Sequence, residues 1–278
     1  MIILFTALTA FIGGAIIEAM VLYFLIRMLS EANAVRKNYS GHDIPVSAGI
    51  SFPFTIIISY ILLALPGLYN DSYFLFMLAV ITVSLLGFID DMPGQRDSLG
   101  FKGHFGALFK GRLTTGGLKA LGGGLLAFMI AISLDRSWTD ILLNTLVIAL
   151  STNLMNLFDL RPGRAVKAYM VFLLIITVLA LGQINWLIIA PLTGAVLYYS
   201  RADLQGKVMM GDAGSNVLGI TLGYLCAVSL SLPLRLVVFI FLVAIHLYTE
   251  KYSITNTIDR NQLLKRLDEW GRSSADGQ

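Results

Sequence analysis

Apolar residues run through this chain in long blocks rather than alternating with polar ones. The blocks lie near 3–26, 44–66, 73–89, 118–134, 138–158, 165–183, 184–200, 213–232 and 234–249. A bilayer core asks for roughly 17 to 25 apolar residues of helix, so the pattern predicts nine spans. Polar Gln183-Ile184-Asn185 forms the weakest of the boundaries. No Lys or Arg precedes the first block, and it is too long for a signal-peptide core, so it reads as a retained helix with an external amino end.

The polar segments between blocks set the orientation. Segments 27–43, 90–117, 159–164, 201–212 and the tail from 250 carry almost every Lys and Arg, while Arg136 and Arg235 fall on the other side. Basic residues beside spans favour the cytoplasm, which puts the tail inside. The resulting fold class is all-α, a polytopic membrane helix bundle of about nine transmembrane helices. It divides into one transmembrane domain, 1–252, and a cytoplasmic tail, 253–278, in which Leu263, Leu264, Leu267 and Trp270 recur at helical spacing.

Composition agrees with this class: 56% of residues are hydrophobic and 13% charged, with a mean hydropathy of +0.77. The net charge of +3 understates the cationic inner face, which suits anionic headgroups and phosphates. Nucleic acid is excluded as a partner, because no soluble basic domain exists to hold it. The single Cys226 sits inside an apolar block, which rules out a disulfide framework or a cysteine metal site.

The aspartates carry the candidate chemistry. Three clusters end or open apolar blocks on the inner face: Phe88-Ile89-Asp90-Asp91, Asn153 to Asp159, and Met210-Gly211-Asp212-Ala213-Gly214-Ser215. Anions at a helix carboxyl end are electrostatically misplaced, so Asp90 and Asp91 want a cation. Mg²⁺ takes one or two carboxylates plus substrate phosphates, which fits dispersed single aspartates. Asn153, Asn156 and Asp159 share one helical stripe, a pattern that also serves as glue between membrane helices. Gly211 to Ser215 opens a helix, where bare amides favour an anion. Glu18, inside the first block, is either a functional acid or one packed against another helix's polar group. His42 and His104 read as loop surface.

Taken together, these segments resemble the polyprenyl-phosphate N-acetylhexosamine-1-phosphate transferase family, glycosyltransferase family 4, which includes phospho-N-acetylmuramoyl-pentapeptide translocase. Asp43 to Ile50 resembles the family's Pro-Thr-x-Gly-Gly segment, and Asp90-Asp91 its Asp-Asp motif. Asn153, Asn156 and Asp159 resemble Asn-x-x-Asn-x-x-Asp, Gly211 to Ser215 resembles Gly-Asp-x-Gly-Ser, and His246 to Lys251 resembles the last His-containing loop. The likeness spans about residues 35 to 255.

The resemblance implies Mg²⁺-dependent transfer of a sugar 1-phosphate from a UDP-sugar to polyprenyl phosphate, with release of UMP, in cell-envelope glycan synthesis. By the same resemblance Asp212 and Asp91 are metal ligands, Asp90 orients or deprotonates the lipid phosphate, and Asp159 faces the nucleotide and metal. Asn153 and Asn156 bond the nucleotide or brace the site, and Lys102 or His246 touches phosphate. Where the family commonly continues Asp-Gly-x-Asp-Gly, this chain has Asp159-Leu160-Arg161-Pro162-Gly163-Arg164. Arg161 and Arg164 then either grip a phosphate or mark topology. The sequence also ends soon after His246, where the family commonly has a further span. A homodimer is compatible with this reading. The competing classes are a catalytically silent relative that binds polyprenyl phosphate or envelope-synthesis partners, and a transporter. A transporter would place its acids near the bilayer midplane, where Glu18 stands almost alone.

Overall fold

A computed structural model describes residues 2–69, 71–92 and 110–272. In chain order the helices are α1 (Ile2–Glu31), α2 (Ser51–Ala64), α3 (Asp71–Asp91), α4 (Thr115–Leu134), α5 (Trp138–Phe158), α6 (Arg164–Leu179), α7 (Trp186–Leu204), α8 (Gly211–Ser229), α9 (Leu232–Thr249), α10 (Ile254–Arg260) and α11 (Gln262–Glu269). The first nine follow the nine predicted blocks, and the break between α6 and α7 contains the predicted polar boundary. Five of them, α1, α3, α4, α5 and α9, are long and apolar enough to cross a membrane by length and composition. The chain is a helical membrane protein.

One expectation needs correction. The second block does not begin as helix at 44: β1 (Val35–Lys37) and β2 (Asp43–Pro45) pair antiparallel, and a single 3₁₀ turn, Ala48–Ile50, leads into a helix that starts only at Ser51. Val35-Arg36-Lys37 is too short and charged to read as a strand by periodicity. Its partner supplies the missing information. In the tail the helical spacing of Leu263, Leu264 and Leu267 falls on α11, and a further short helix, α10, precedes it; Asn261 separates the two, and its side chain accepts from the Leu263 and Leu264 amides to cap α11.

Helix α8 lies at the centre, with nearly every residue from Ala213 to Cys226 buried. It approaches α5 backbone to backbone because Gly219 and Gly223 face Thr152 and Ile148; a Cβ at either glycine would fall within 2.6 Å of a Cα on α5. Small residues four apart permit such contact between membrane helices. Helix α1 packs along α7, and its fully buried Glu18 accepts hydrogen bonds from Ser51 (2.5 Å) and Thr55 (2.7 Å) on α2. Those partners give Glu18 a structural role between helices.

The exceptional Arg235 is also explained. It sits at the start of α9, bonded to Asp140 (2.8 Å) and Asn144 (2.9 Å), with Asp135 at 3.9 Å. A charge on the less basic side is tolerated because carboxylates neutralise it there.

Candidate active site

The ends of α3, α5 and α7 and the starts of α4, α6 and α8 meet on one face. They are joined there by hydrogen bonds and ion pairs between distant segments. The Met209-Met210 backbone threads against the segment after β2: Met209 N–H donates to Pro45 (2.8 Å), and the Ala48 and Gly49 amides donate to Met209 (2.9 Å) and Met210 (3.1 Å). Two segments about 160 residues apart in sequence therefore form one platform. Gly211 turns the chain from it into α8 with φ of +69°, and any Cβ there would lie 2.4 Å from Asp91 Oδ2. Only glycine meets both demands.

Asp91 is buried and its oxygens are engaged. Oδ1 accepts from the Asp212 amide (3.1 Å); Oδ2 accepts from the Ala213 amide (3.2 Å) and the Ser47 hydroxyl (2.6 Å). It caps the first turn of α8, satisfying amides that have no partner within the helix and placing an anion at the positive end of the helix dipole. Arg36 of β1 donates to its backbone carbonyl. The expected metal ligand is thus the residue that fixes Asp212 in place.

The neighbouring Asp90 and Asp212 converge on a cation. Lys119, near the start of α4, hydrogen-bonds Asp212 and lies 3.7 Å from Asp90. Asn156 completes the group. With its amide oxygen towards the Lys119 ammonium, its nitrogen donates to Asp212 Oδ1 (2.9 Å), and it also contacts Ser215. The sequence reading missed Lys119 because it lies just inside an apolar block. A cation near the start of a span, on the aspartate face, was the available signal.

Beside this group lies a cavity of about 490 Å³ whose walls include Asp91, Asp159, Asp203 and Asp212, with Arg36, Lys37 and Arg161 also lining it. Asp203, at the end of α7 beyond the apolar block, is a second residue the sequence reading passed over. Burial pushes its carboxyl up to about 7, against the pull of the Gly163 amide and of Arg272 and Lys167. Asp159 is driven well above the usual carboxylate range, first by desolvation and then by Asp203, Asp212 and Asp91. The cavity therefore concentrates acids that lack enough cation.

The other predicted residues separate. The Arg161 guanidinium is exposed at the cavity and makes no hydrogen bond or ion pair among the described residues. Arg164 is 4% exposed and faces the tail: its Nε and Nη2 hold Asp268 (2.7 and 3.0 Å), and Nη1 donates to Thr255 (2.9 Å). Asn153 lies one turn further up α5, away from the cavity wall. His246 donates from Nδ1 to the Leu242 carbonyl (2.7 Å), its buried Nε2 has no partner among the described residues, and it does not line the cavity. Lys102 falls outside the described residues.

Asp268 gives one testable pH response. Burial alone would raise its pKa, but hydrogen bonds and charge from Arg164 and Arg272 outweigh this and hold it below its ordinary value. Stabilisation of the docked tail is therefore complete above the unfolded pKa near 3.8 and is lost as pH falls through the depressed folded value. At neutral pH, Asp268→Asn should mimic the acid state. Breaking a buried pair by removing one partner costs about 3–5 kcal/mol, so trypsin cleavage at Lys265 and Arg266 should accelerate by at least tenfold in the variant. An unchanged cleavage rate would mean the pair does not hold the tail.

Among the described residues no three His, Cys, Asp or Glu side chains cluster as metal ligands. Asp90, Asp212 and the Asn156 amide nonetheless form an all-oxygen donor set around a cation position. Mg²⁺ needs no more protein ligands than that when substrate phosphates complete its shell.

No curated protein matches the chain. A sequence model of glycosyltransferase family 4 matches residues 73–230, from α3 through the end of α8, and so takes in Asp90, Lys119, Asn156, Asp159, Asp203 and Asp212. More than half of the chain is matched, and it belongs to glycosyltransferase family 4.

Proposed function

We propose that this membrane transferase moves a sugar 1-phosphate, of N-acetylhexosamine type, from a UDP-sugar to polyprenyl phosphate in an Mg²⁺-dependent reaction of cell-envelope glycan synthesis. The observation that carries the reading is the convergence of Asp90, Asp212 and Asn156 on Lys119 beside a cavity whose lining includes Arg36 and Arg161. Acids alone would repel a diphosphate. Acids with a cation among them and basic residues nearby can bind one.

In the proposed reaction an oxygen of the lipid phosphate attacks the β-phosphorus of the UDP-sugar. The bond from that phosphorus to the oxygen bridging it to the α-phosphate breaks, and the electron pair leaves with UMP. Such transfer rests on positioning and charge neutralisation. Asp212 and Asp90 would hold Mg²⁺, which supplies Lewis-acid neutralisation of the diphosphate. Lys119 would then turn from the carboxylates towards phosphate oxygens, and Asn156 keeps Asp212 oriented. Asp90 needs little basic strength, because a phosphate monoester with a second pKa near 6 is already largely ionised at neutral pH. Asp91 holds the amides of α8 fixed throughout.

The two arginines of the departing turn separate by experiment. Arg161→Lys should raise the KM for the sugar nucleotide several-fold, because ammonium cannot reproduce the paired donors of guanidinium on phosphate. Arg164→Lys should leave that KM near wild type and loosen the tail. The reverse pattern would exchange their roles.

The reading also places the acidic face in the cytoplasm. Exposed Leu160 and Trp138 lie at opposite ends of α5, so Leu160→Cys should react with an impermeant thiol reagent only from inside and Trp138→Cys only from outside. Inverted labelling would put the site on the wrong side for a cytoplasmic nucleotide. UMP release from a panel of UDP-sugars, with undecaprenyl phosphate and Mg²⁺, tests the donor class. Failure of every donor, with folded protein that binds the lipid phosphate, would favour a non-catalytic relative.

A further inference from the structure

The two sides of α11 have different surroundings. Asp268 is buried against Arg164 and Arg272, and Lys167 donates to the carbonyls of Leu267 (3.0 Å), Trp270 (3.2 Å) and Asp268. Arg272 adds two bonds of 3.2 Å to the Pro162 carbonyl. The adjoining face exposes Leu263, Leu264 and Leu267, with Trp270 just past the helix end, at 68%, 42%, 54% and 76%. An eight-residue helix held by six or more polar bonds, yet showing three large apolar side chains and a fourth at its end, is built to present them.

The depth of this helix identifies what covers them. Arg164 and Lys167 belong to the first turn of α6, which enters the apolar block at 165, so the last turn of α11 is fixed at the level where the bundle meets lipid headgroups. Tyr248 and Tyr252, at and just past the end of α9 with ring centroids 5.0 Å apart and both exposed, belong to the same end of the bundle. Aromatic rings with one polar edge concentrate at that level. The exposed Arg266 borders the apolar stripe on α11, while Lys265 lies on the far face; a cation beside the stripe complements anionic headgroups.

We propose that α11 lies in the headgroup layer of the leaflet on the acidic-cluster side, with Leu263, Leu264, Leu267 and Trp270 seated at the boundary with the acyl chains. The occupant of this surface is the bilayer itself. Since Arg272 and Arg164 join the same helix to the Pro162-Gly163 turn that borders the cavity, the lipid surface and the candidate site share one rigid connection.

The test uses the full chain in vesicles of phosphatidylcholine and phosphatidylglycerol, with and without lipids brominated near the headgroup end of the acyl chains. Trp270 emission is isolated as the difference between wild type and Trp270→Phe, which leaves Trp138 and Trp186 in place. The expected result is at least twofold quenching of the Trp270 component by brominated lipid and weak quenching by aqueous iodide. Leu263→Ser with Leu267→Ser should reverse that order. Strong iodide quenching with no bromine effect in wild type would overturn the proposal and leave the stripe open to a soluble partner. Protection from both quenchers would also overturn it, pointing to a second copy of the chain. Bromine quenching unchanged by the serine pair would show that the stripe is not what contacts lipid.

Discussion

Asp212→Asn should lower turnover by roughly 10²- to 10³-fold, the scale on which a single preorganised electrostatic contact contributes to a charged transition state, while the protein keeps its thermal transition within a few degrees. The argument rests on geometry. The Asp212 carboxylate faces Lys119, Asn156 and the cavity, whereas the burial and packing of α8 depend on Ala213 onward. Its backbone amide, held by Asp91, is unaffected by the substitution. Asparagine keeps the shape and removes the charge that a metal and an ammonium both require. Asp91→Asn should differ in kind: it replaces an acceptor of two helix amides with an amide group that can turn its own donor towards them, so stability should fall along with activity. Wild-type turnover for Asp212→Asn would remove that carboxylate from the mechanism.

Gly87→Ala should be the most damaging substitution outside the acids themselves. A Cβ at Gly87 would sit 2.3 Å from the Asp212 carbonyl oxygen and 2.4 Å from its carbon, both backbone atoms that cannot rotate away. Helix α3 would have to move off the start of α8. Overpacking of this type costs about 1–3 kcal/mol, and a shift of about 1 Å in a catalytic group can cost about 10²-fold in rate. Gly13→Ala is the control. Nothing lies within 4 Å of its added methyl, so it should stabilise α1 by about 0.5–1 kcal/mol, the ordinary gain from replacing a helical glycine. Thermal unfolding in detergent and turnover of both variants check the pair. Equal effects at the two positions would mean that the approach of α3 to α8 does not set the site.

These two cases show what could be read from sequence and what could not. Each apolar block was legible because a membrane span must satisfy its backbone internally and stay apolar for its whole length. The aspartates were legible because charge cannot enter those blocks cheaply, so Asp90, Asp159 and Asp212 had to gather at block ends. Partnership was not legible. Asp90 and Asp91 are adjacent and identical, yet one faces Lys119 while the other caps a helix that begins 120 residues later. Arg161 and Arg164 look equivalent around a Pro-Gly turn, and only Asp268, 104 residues further on, separates them. Lys119 and Asp203 escaped notice because each sits within or just beyond an apolar block, where local pattern records only a single charge. The hairpin of β1 and β2 was hidden for the same reason, since three charged or β-branched residues become a strand only when a partner is present.

In transfer of a sugar 1-phosphate, the phosphorus next to the sugar travels with it. Purified protein in vesicles containing undecaprenyl phosphate and Mg²⁺ should therefore be given a UDP-N-acetylhexosamine labelled with ³²P in the β-phosphate. Label should enter the lipid fraction in step with UMP formation, one for one, and Asp212→Asn should slow both together. Label remaining in water-soluble UDP while the sugar reaches lipid would contradict sugar 1-phosphate transfer, because the bond broken would then lie between the sugar and its phosphate.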